Sequence, residues 1–314
     1  LRGCLEATVC LMRYFLLGPT ASGKTEVSLE LAEKLNAEIF SMDSMLVYRG
    51  MNIGTAKPTA AEQAKVPHHL LDLVSPSEEF SVAKYLEEAH KAEMDVRSRD
   101  KAALYVGGTG LYFKSLLFGL FDGPPIPGAL RTELEEQLAN GNRSDLREEL
   151  RRGDPDLYGR LHENDDKRLL RGVETLRVTG QPLSEWQEQW KGHRPVEEPA
   201  AALIWDRSQA HNRVEGRFGA MMEEGLLEET RKILDGSGFG RSARQAIGYR
   251  QVLEHLEEDI PLSEATLKSI TATRRLIRRQ TTWIRNFPGI QLIPMKVGIS
   301  AQDVGTKIAN FWLS

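Results

Sequence analysis

The chain has 314 residues, of which 40% are hydrophobic and 27% are charged, and its formal net charge is −4. This length and composition are those of an ordinary globular protein with one large domain or two smaller ones. The only cysteines, Cys4 and Cys10, exclude a disulfide framework and a cysteine-rich zinc site, and their scarcity predicts a reducing, cytoplasmic setting. No apolar run approaches the roughly 18–20 residues of a membrane-spanning helix, so we expect no membrane contact.

Residues 1–11 precede the first methionine, Met12, and lack the long apolar core and cleavage site of a secretory signal peptide. We interpret them as an N-terminal extension that need not be native. The predicted catalytic core then begins at residue 12.

A glycine-rich stretch follows the first apolar run and precedes a segment with helical spacing. Strand, glycine-rich turn and helix in this order are typical of a phosphate-binding P-loop. Glycines let backbone N–H groups converge on an anion, and the helix directs its positive end to the same place. We expect Lys24 to add a charge and the Thr25 hydroxyl to ligate Mg²⁺, the one cofactor predicted. The P-loop residues, all predicted to bind phosphate, are Gly18, Pro19, Thr20, Ala21, Ser22, Gly23, Lys24 and Thr25.

The segment after the first helix predicts a short buried strand that ends at an acid, Asp43. Ligands of open α/β sheets lie beyond the carboxyl ends of the strands, so we expect Asp43 to share a crevice with the P-loop. A helix cap is the alternative role for this carboxylate. In the following loop we place Lys57 within reach of an anion. His68 and His69 lack a third ligand at metal spacing, which favours a structural role.

Residues 81–98 have the spacing of an amphipathic helix, and another buried strand follows them. This strand ends in Gly107, Gly108 and Thr109. In many P-loop nucleotidases the corresponding strand ends in an aspartate that serves the magnesium ion. The absence of that acid argues against an ordinary ATPase and gives more weight to Asp43.

The prolines at residues 121–128 mark a predicted boundary, after which the chain is charged and helical up to about residue 200. A strand pattern returns at residues 201–205. We therefore predict an α/β protein with a P-loop NTPase-like parallel sheet core (residues 12–120 and 201–314) flanked by helices. Residues 121–200 would form a helical insertion domain.

Three basic clusters interrupt this acidic chain. Each alone is typical of a solvated face or of ion-pair partners, but three in a phosphate-binding protein leave a nucleic-acid partner as an open alternative. The first lies in residues 265–287, which contain no acid. The clusters comprise Lys268, Arg274, Arg275, Arg278, Arg279 and Arg285; Lys167, Arg168 and Arg171; and Arg241, Arg244 and Arg250.

Several blocks of this sequence resemble the successive signature blocks of the tRNA dimethylallyltransferases, also called tRNA isopentenyltransferases. They follow the order of that family over residues 14–288: GPTASGKT, MDSMLVYRGMNIGTAKPT, VPHHLLDLVSPSEEFSVAKY, LYVGGTGLYFKSLLFGL, NDDKRLLRGVE, AIGYRQ and RRQTTWIRNF. The resemblance implies transfer of a dimethylallyl group from dimethylallyl diphosphate to N6 of the adenosine immediately 3′ of the anticodon in tRNA. The P-loop would then hold a diphosphate leaving group.

The resemblance also implies roles for individual residues. Asp43 would accept the proton from the adenine N6, and Thr109 would donate or accept a hydrogen bond near the reacting groups. Lys24, Thr25 and Arg217 would stabilise the departing diphosphate. For the arginine, Arg213 is the competing assignment, one helical turn earlier. A surface ion pair with Glu215 or Glu223 is the alternative to a diphosphate contact.

The target adenine must leave a stacked loop to reach the pocket, so the resemblance implies an extended tRNA-binding surface. The helical insertion would contact the anticodon stem. Some relatives carry glutamine where this chain has Leu46, so we do not assign base recognition to that side chain, and Gly110 replaces a bulkier residue of some relatives. The tRNA-contacting residues implied are Asp43, Ser44, Met45, Leu46, Thr109, Arg131, Lys167, Arg168, Leu169, Leu170, Arg171, Gln245, Ala246, Ile247, Gly248, Tyr249 and Arg250.

Three other functions compete with this hypothesis. A small-molecule P-loop kinase would share the fold, but it would not explain why the strand that ends in Gly107, Gly108 and Thr109 lacks a terminal acid. An isopentenyltransferase acting on a free adenine nucleotide would not need the insertion or the basic clusters. A non-enzymatic RNA-binding protein would leave Lys24, Thr25 and Asp43 without a purpose. We expect a monomer without a protein partner, of the short bacterial type, that does not hydrolyse ATP.

Overall fold

The computed structural model of the protein describes residues 12–120, 126–187 and 195–314. The predicted extension at residues 1–11 lies outside the described residues, as does part of the boundary predicted at residues 121–128. None of the helices in the described ranges is both long and apolar enough to cross a bilayer.

Six parallel strands form one sheet within the described residues. Their order across the sheet is β3-β2-β4-β1-β5-β6, and all neighbouring strands are parallel. This confirms the predicted α/β class and parallel core. The strands are β1 (Arg13–Leu17), β2 (Ala37–Met42), β3 (His68–His69), β4 (Ala102–Gly107), β5 (Ala200–Ile204) and β6 (Gln291–Pro294).

Helices follow most of these strands along the chain. Those of the sheet-containing unit are α1 (Lys24–Lys34), α2 (Ala60–Lys65), α3 (Val82–Ser98) and α4 (Gly110–Phe118), then, after β5, α10 (Arg207–Glu223), α11 (Leu226–Asp235), α12 (Tyr249–Glu258), α13 (Leu262–Arg285) and α14 (Ala301–Leu313). In the sequence between α4 and β5 come α5 (Gly128–Ala139), α6 (Arg143–Gly153), α7 (Pro155–Arg160), α8 (Asp166–Thr179) and α9 (Leu183–Trp186).

Alternating side chains of the central strands build a core on each face of the sheet, as the pleat of a β-strand requires. In β1, Tyr14 and Leu16 pack on the face that α1 and α14 cover, and Phe15 and Leu17 pack on the opposite face. All of them are buried, and so is every residue of β2. The short apolar runs of the sequence therefore correspond to strands covered on both sides.

The chain divides into two compact units, Leu1–Leu117 with Arg194–Ser314, and Phe118–His193. The smaller unit contains α5 to α9 around a leucine-rich core that includes Leu134, Leu146 and Leu150. This unit, Phe118–His193, ends before residue 200, where the composition predicts the end of the helical insertion. The strand predicted at residues 201–205 is β5, which begins one residue earlier.

Candidate active site

The segments that follow β1, β2 and β4 leave the sheet at one place. Gly107 is the register partner of both Leu17 in β1 and Met42 in β2. A Cβ at Gly107 would lie 2.1 Å from the Met42 carbonyl oxygen, so the strands approach too closely for a side chain. The Thr109 N–H donates to that carbonyl at 3.3 Å, and the Ser44 N–H donates to the Thr109 hydroxyl at 3.3 Å. The P-loop, the turn after β2 and the turn after β4 are therefore neighbours.

The P-loop has the compact geometry that its glycines predict. The Lys24 ammonium group donates to the carbonyl oxygens of Gly18 and Pro19, at 2.9 and 2.8 Å. A Cβ at Gly18 would lie 2.6 Å from the Ser22 hydroxyl, and Gly23 has a φ of 88°, in the left-handed region that favours glycine. Gly23 is therefore required by the loop conformation, and Gly18 packs closely against Ser22.

Donor groups at the start of α1 are available to an anion. The backbone N–H groups of Gly23, Lys24 and Thr25 make no hydrogen bond to another described residue, as is usual in the open first turn of a helix. The Thr25 hydroxyl likewise has no partner among the described residues. Together with phosphate oxygens and water, a hydroxyl is the kind of hard ligand that Mg²⁺ accepts. Nowhere in the described ranges do three or more His, Cys, Asp or Glu side chains form a separate metal cluster.

Lys24, Arg217 and Asp43 lie close enough to influence one another electrostatically. Burial, and after it the nearby Arg217, lower the pKa of Lys24 to about 8, while Asp43 opposes the shift. The pKa of Arg217 is also lowered, first by burial, against the stabilising charge of Asp43. One carboxylate therefore lies within electrostatic range of two partly desolvated cations at the P-loop.

The lowered pKa of Lys24 predicts a pH dependence for diphosphate binding. Below about pH 8 the ammonium group is charged and attracts the anion, whereas above it the neutral amine does not. We expect the affinity of the loop for inorganic diphosphate to fall as the pH rises through about 8, because the loop then loses one positive charge. The variant Lys24→Arg stays charged over this pH range, so it should not show this decrease. Identical profiles for both proteins would contradict the assignment.

Asp43 is half-buried in the turn after β2. Its Oδ1 accepts a hydrogen bond from the Met45 N–H at 2.9 Å, and Oδ2 has no partner among the described residues. The helix-cap alternative is wrong, because the next helix, α2, begins only at Ala60. Asp43 therefore caps a turn with one oxygen and leaves the other available for chemistry.

The two candidate arginines differ in their surroundings. Arg213 donates from Nε to the Ala21 carbonyl oxygen at 2.7 Å, and its guanidinium group lies 4.6 Å from the Trp205 ring centroid. Arg217 is half-buried and makes no hydrogen bond or ion pair with another described residue. Glu215, the proposed surface partner, instead pairs with Arg274. These contacts favour Arg217 as the arginine free to meet a diphosphate.

Lys57 is not available to an anion, contrary to the prediction. Its side chain is only 4% exposed, and Nζ contacts Asp72 Oδ1 at 2.5 Å and the Tyr48 carbonyl oxygen at 2.8 Å. It orders the loop after the Asp43 turn. His69 likewise has a structural partner, the buried Glu38, at 2.7 Å.

Part of the predicted tRNA surface is buried, so the structure contradicts RNA contacts by these side chains. Ala246 and Tyr249 belong to a core cluster, and the Tyr249 hydroxyl donates to Glu229. Gly248 has a φ of 96° and donates its N–H to Gln251. The AIGYRQ block is therefore largely structural at these positions, while Gln245 and Arg250 are exposed and Ile247 is half-buried.

In the smaller unit, Leu169 and Leu170 are also core residues, which excludes their side chains from RNA contacts. The predicted arginines of this unit are partly exposed but paired with acids. Arg131 and Arg171 both face the buried Glu174, at 2.8 and 3.7 Å, and Arg168 pairs with Asp165 at 2.8 Å. Lys167 is exposed.

The arginines of α13 form an exposed face, although none of them was among the predicted site residues. Arg275, Arg278, Arg279 and Arg285 recur at helical spacing and are exposed. None of these four guanidinium groups has an ion pair with another described residue, in contrast to Arg274. We call these four residues the arginine face.

Two further residues in this region become explicable only from the structure. Gln280, on the buried side of α13, contacts both the P-loop and the turn after β4. In the sequence, only its place in the RRQTTWIRNF block indicated a role in the site. Gly110 begins α4 against the Trp283 ring, which would lie 2.8 Å from a Cβ at that position. The indole therefore occupies the space that a larger residue 110 would need.

The fold and the site define a protein of the P-loop NTPase-like fold, with a carboxylate near the loop between β1 and α1. Residues 46–287 match the family model described as IPP transferase, and the chain belongs to this family. It is 43% identical to a tRNA dimethylallyltransferase of Francisella philomiragia, over 87% of this chain and 90% of the relative. It is 41% identical to a tRNA dimethylallyltransferase of Rhodopirellula baltica, over 92% of this chain and 90% of the relative. The family predicted from the sequence blocks is thereby confirmed.

Solved structures agree with this assignment. The fold matches the tRNA isopentenylpyrophosphate transferase of Bacillus halodurans with a TM-score of 0.71 and 34% identity, over 96% of this chain and 95% of that one. It also matches a eukaryotic dimethylallyltransferase acting on tRNA with a TM-score of 0.75 and 26% identity, over 93% and 75%.

Proposed function

We propose that the protein transfers a dimethylallyl group from dimethylallyl diphosphate to N6 of the adenosine immediately 3′ of the anticodon in tRNA and releases diphosphate. The observation that carries the proposal is the site itself, in which Asp43 lies within electrostatic range of Lys24 and Arg217 beside the P-loop. The names of the relatives support the pair of substrates.

The residues of this site suit the charges that such a transfer develops. When the allylic C–O bond breaks, its electron pair goes to the diphosphate, whose added charge Lys24, Arg217 and the α1 N–H groups can stabilise. The N6 lone pair forms the new C–N bond. Because that lone pair is delocalised into the purine, N6 is a poor nucleophile, and Asp43 is suited to take its proton as the bond forms. We assign Thr109, bonded to the Ser44 N–H, a hydrogen-bonding role beside it.

The Thr25 hydroxyl at the start of α1 is suited to bind a magnesium ion. Thr25 would hold it together with the diphosphate oxygens, and the ion would neutralise part of the charge on the leaving group. We also propose, on the sequence alone, that the protein is a cytoplasmic monomer and that its helical insertion contacts the anticodon stem.

The arginine face of α13 supports an RNA acceptor, since it offers four exposed cations without protein partners in the described ranges. We expect Arg278→Gln and Arg279→Gln each to weaken tRNA binding and to reduce the slope of log K against log salt by roughly 0.7–1 for each phosphate that the variant no longer neutralises. Binding measured over a series of salt concentrations checks this. The control is Arg274→Gln, which removes the same charge from a residue paired with Glu215. An equal change in all three variants would indicate a general charge effect instead.

One experiment separates the proposed function from its competitors. Purified protein is incubated with labelled dimethylallyl diphosphate and, separately, bulk tRNA, AMP or ATP, and the acceptor that gains label is identified. Label on tRNA supports the proposal. Label on AMP but not on tRNA would identify a free-nucleotide isopentenyltransferase, and label on no acceptor, together with phosphate transfer from ATP to a small molecule, would favour a kinase.

A further inference from the structure

Gln280 joins the two halves of the site through one side chain. Its Oε1 accepts a hydrogen bond from the Thr20 N–H of the P-loop at 2.9 Å, and its Nε2 donates to the Gly108 carbonyl oxygen at 3.0 Å. The side chain lies on the buried side of α13, with 8% of the residue exposed. Both amide atoms are therefore satisfied by backbone atoms that are distant in sequence.

The two backbone atoms belong to opposite sides of the proposed reaction. Thr20 lies in the loop that would hold the diphosphate, whereas the Gly108 carbonyl immediately precedes Thr109, which bonds the Ser44 N–H next to Asp43. The fit is close, because a Cβ at Gly108 would lie 2.5 Å from the Gln280 Nε2 and 2.9 Å from the Gly18 carbonyl oxygen. The amide thus spans the gap between the leaving-group side and the acceptor side.

We infer that Gln280 is a positioning residue that sets the distance between the P-loop and the Asp43–Thr109 side of the site. It touches neither reacting group. Its effect is to keep the allylic carbon, held through the diphosphate, aligned with the acceptor nitrogen, where a displacement of about 1 Å can lower the rate about 100-fold. This inference rests on the proposed function.

The two hydrogen bonds of Gln280 explain why an amide is required at this position. One end must accept a hydrogen bond and the other must donate one, which neither methionine nor an ionised carboxylate can do. Gln280→Met keeps the approximate shape and removes both bonds. Gln280→Glu keeps an acceptor for Thr20 but directs an oxygen at the Gly108 carbonyl, unless the carboxyl group is protonated and can donate.

The test measures kcat, the separate Kd values for tRNA and for inorganic diphosphate, and the melting temperature of full-length variants. For Gln280→Met we expect kcat to fall about 100-fold, while both Kd values stay within about threefold of wild type, which corresponds to less than 1 kcal/mol. The matched control is Gln63→Met. It removes one amide-to-carbonyl bond, to Pro58 at 2.7 Å, and should leave kcat unchanged.

A pH series separates positioning from simple loss of stability. The kcat of Gln280→Glu relative to wild type should rise as the pH is lowered from about 8 to about 6, because protonation restores the donor. The ratio for Gln280→Met should stay constant. The inference is overturned by a kcat within about threefold of wild type in Gln280→Met, by equal losses in Gln63→Met, or by a diphosphate Kd that rises as much as kcat falls.

Wild-type protein in the same assay tests the proposed function independently. If it labels AMP instead of tRNA, the proposed acceptor is wrong, but the ratio of variant to wild-type kcat on AMP still tests Gln280.

Discussion

Asp43→Asn is expected to lower the rate of dimethylallyl transfer about 100- to 10,000-fold, the range usual for loss of a general base. Asparagine retains an oxygen that can accept the Met45 N–H, so the turn should persist. Its amide cannot take the proton from N6. Single-turnover transfer to tRNA measures the effect, and tRNA affinity should remain largely unchanged, because the substitution leaves the surface of α13 intact.

The control for this prediction is Asp206→Asn. Asp206 caps α10 by accepting from the Gln209 N–H at 3.0 Å, and asparagine is an equally good cap. This variant removes one exposed carboxylate without changing the site and should turn over like wild type. Near-normal turnover of Asp43→Asn would show that Asp43 is not the proton acceptor.

Arg217→Gln is expected to reduce kcat about 100- to 1,000-fold, as the loss of one group that stabilises transition-state charge does in other enzymes. The guanidinium group of Arg217 has no protein partner in the described ranges and lies near Lys24 and Asp43, where the leaving group would gain charge.

Arg213→Gln provides the comparison. Its guanidinium group already donates to the Ala21 carbonyl oxygen and stacks on Trp205, so we expect a loss smaller than that of Arg217→Gln and shared between kcat and KM. Steady-state kinetics of the two variants decide the order. A greater loss of kcat in Arg213→Gln would reverse the assignment.

Short-range patterns correctly predicted that the P-loop and the Asp43 turn lie close together. The P-loop residues are consecutive, and Asp43 directly follows a buried strand, so the rule for parallel sheets was sufficient to bring them together. The edge strands β3 and β6 were missed because they contain two and four residues and carry little periodicity.

The resemblance to the family was less reliable in predicting which side chains point toward a ligand. A sequence block does not distinguish residues that contact a ligand from those that support the backbone around it, and Tyr249 and Leu170 belong to the second kind. Lys57 was misjudged because its partner, Asp72, is fixed only by the folded loop. The contact between Gln280 and Thr20 joins residues 260 positions apart, which no local pattern predicts.

The closeness of β2 and β4 limits which residues can stand at the end of β4. An aspartate at position 107 would have to force its Cβ into the Met42 carbonyl, and at position 108 into Gln280 and the Gly18 carbonyl. One substitution at either position therefore cannot supply the acid that many nucleotide-hydrolysing P-loop proteins carry at the end of this strand. Several neighbouring residues would have to change at the same time.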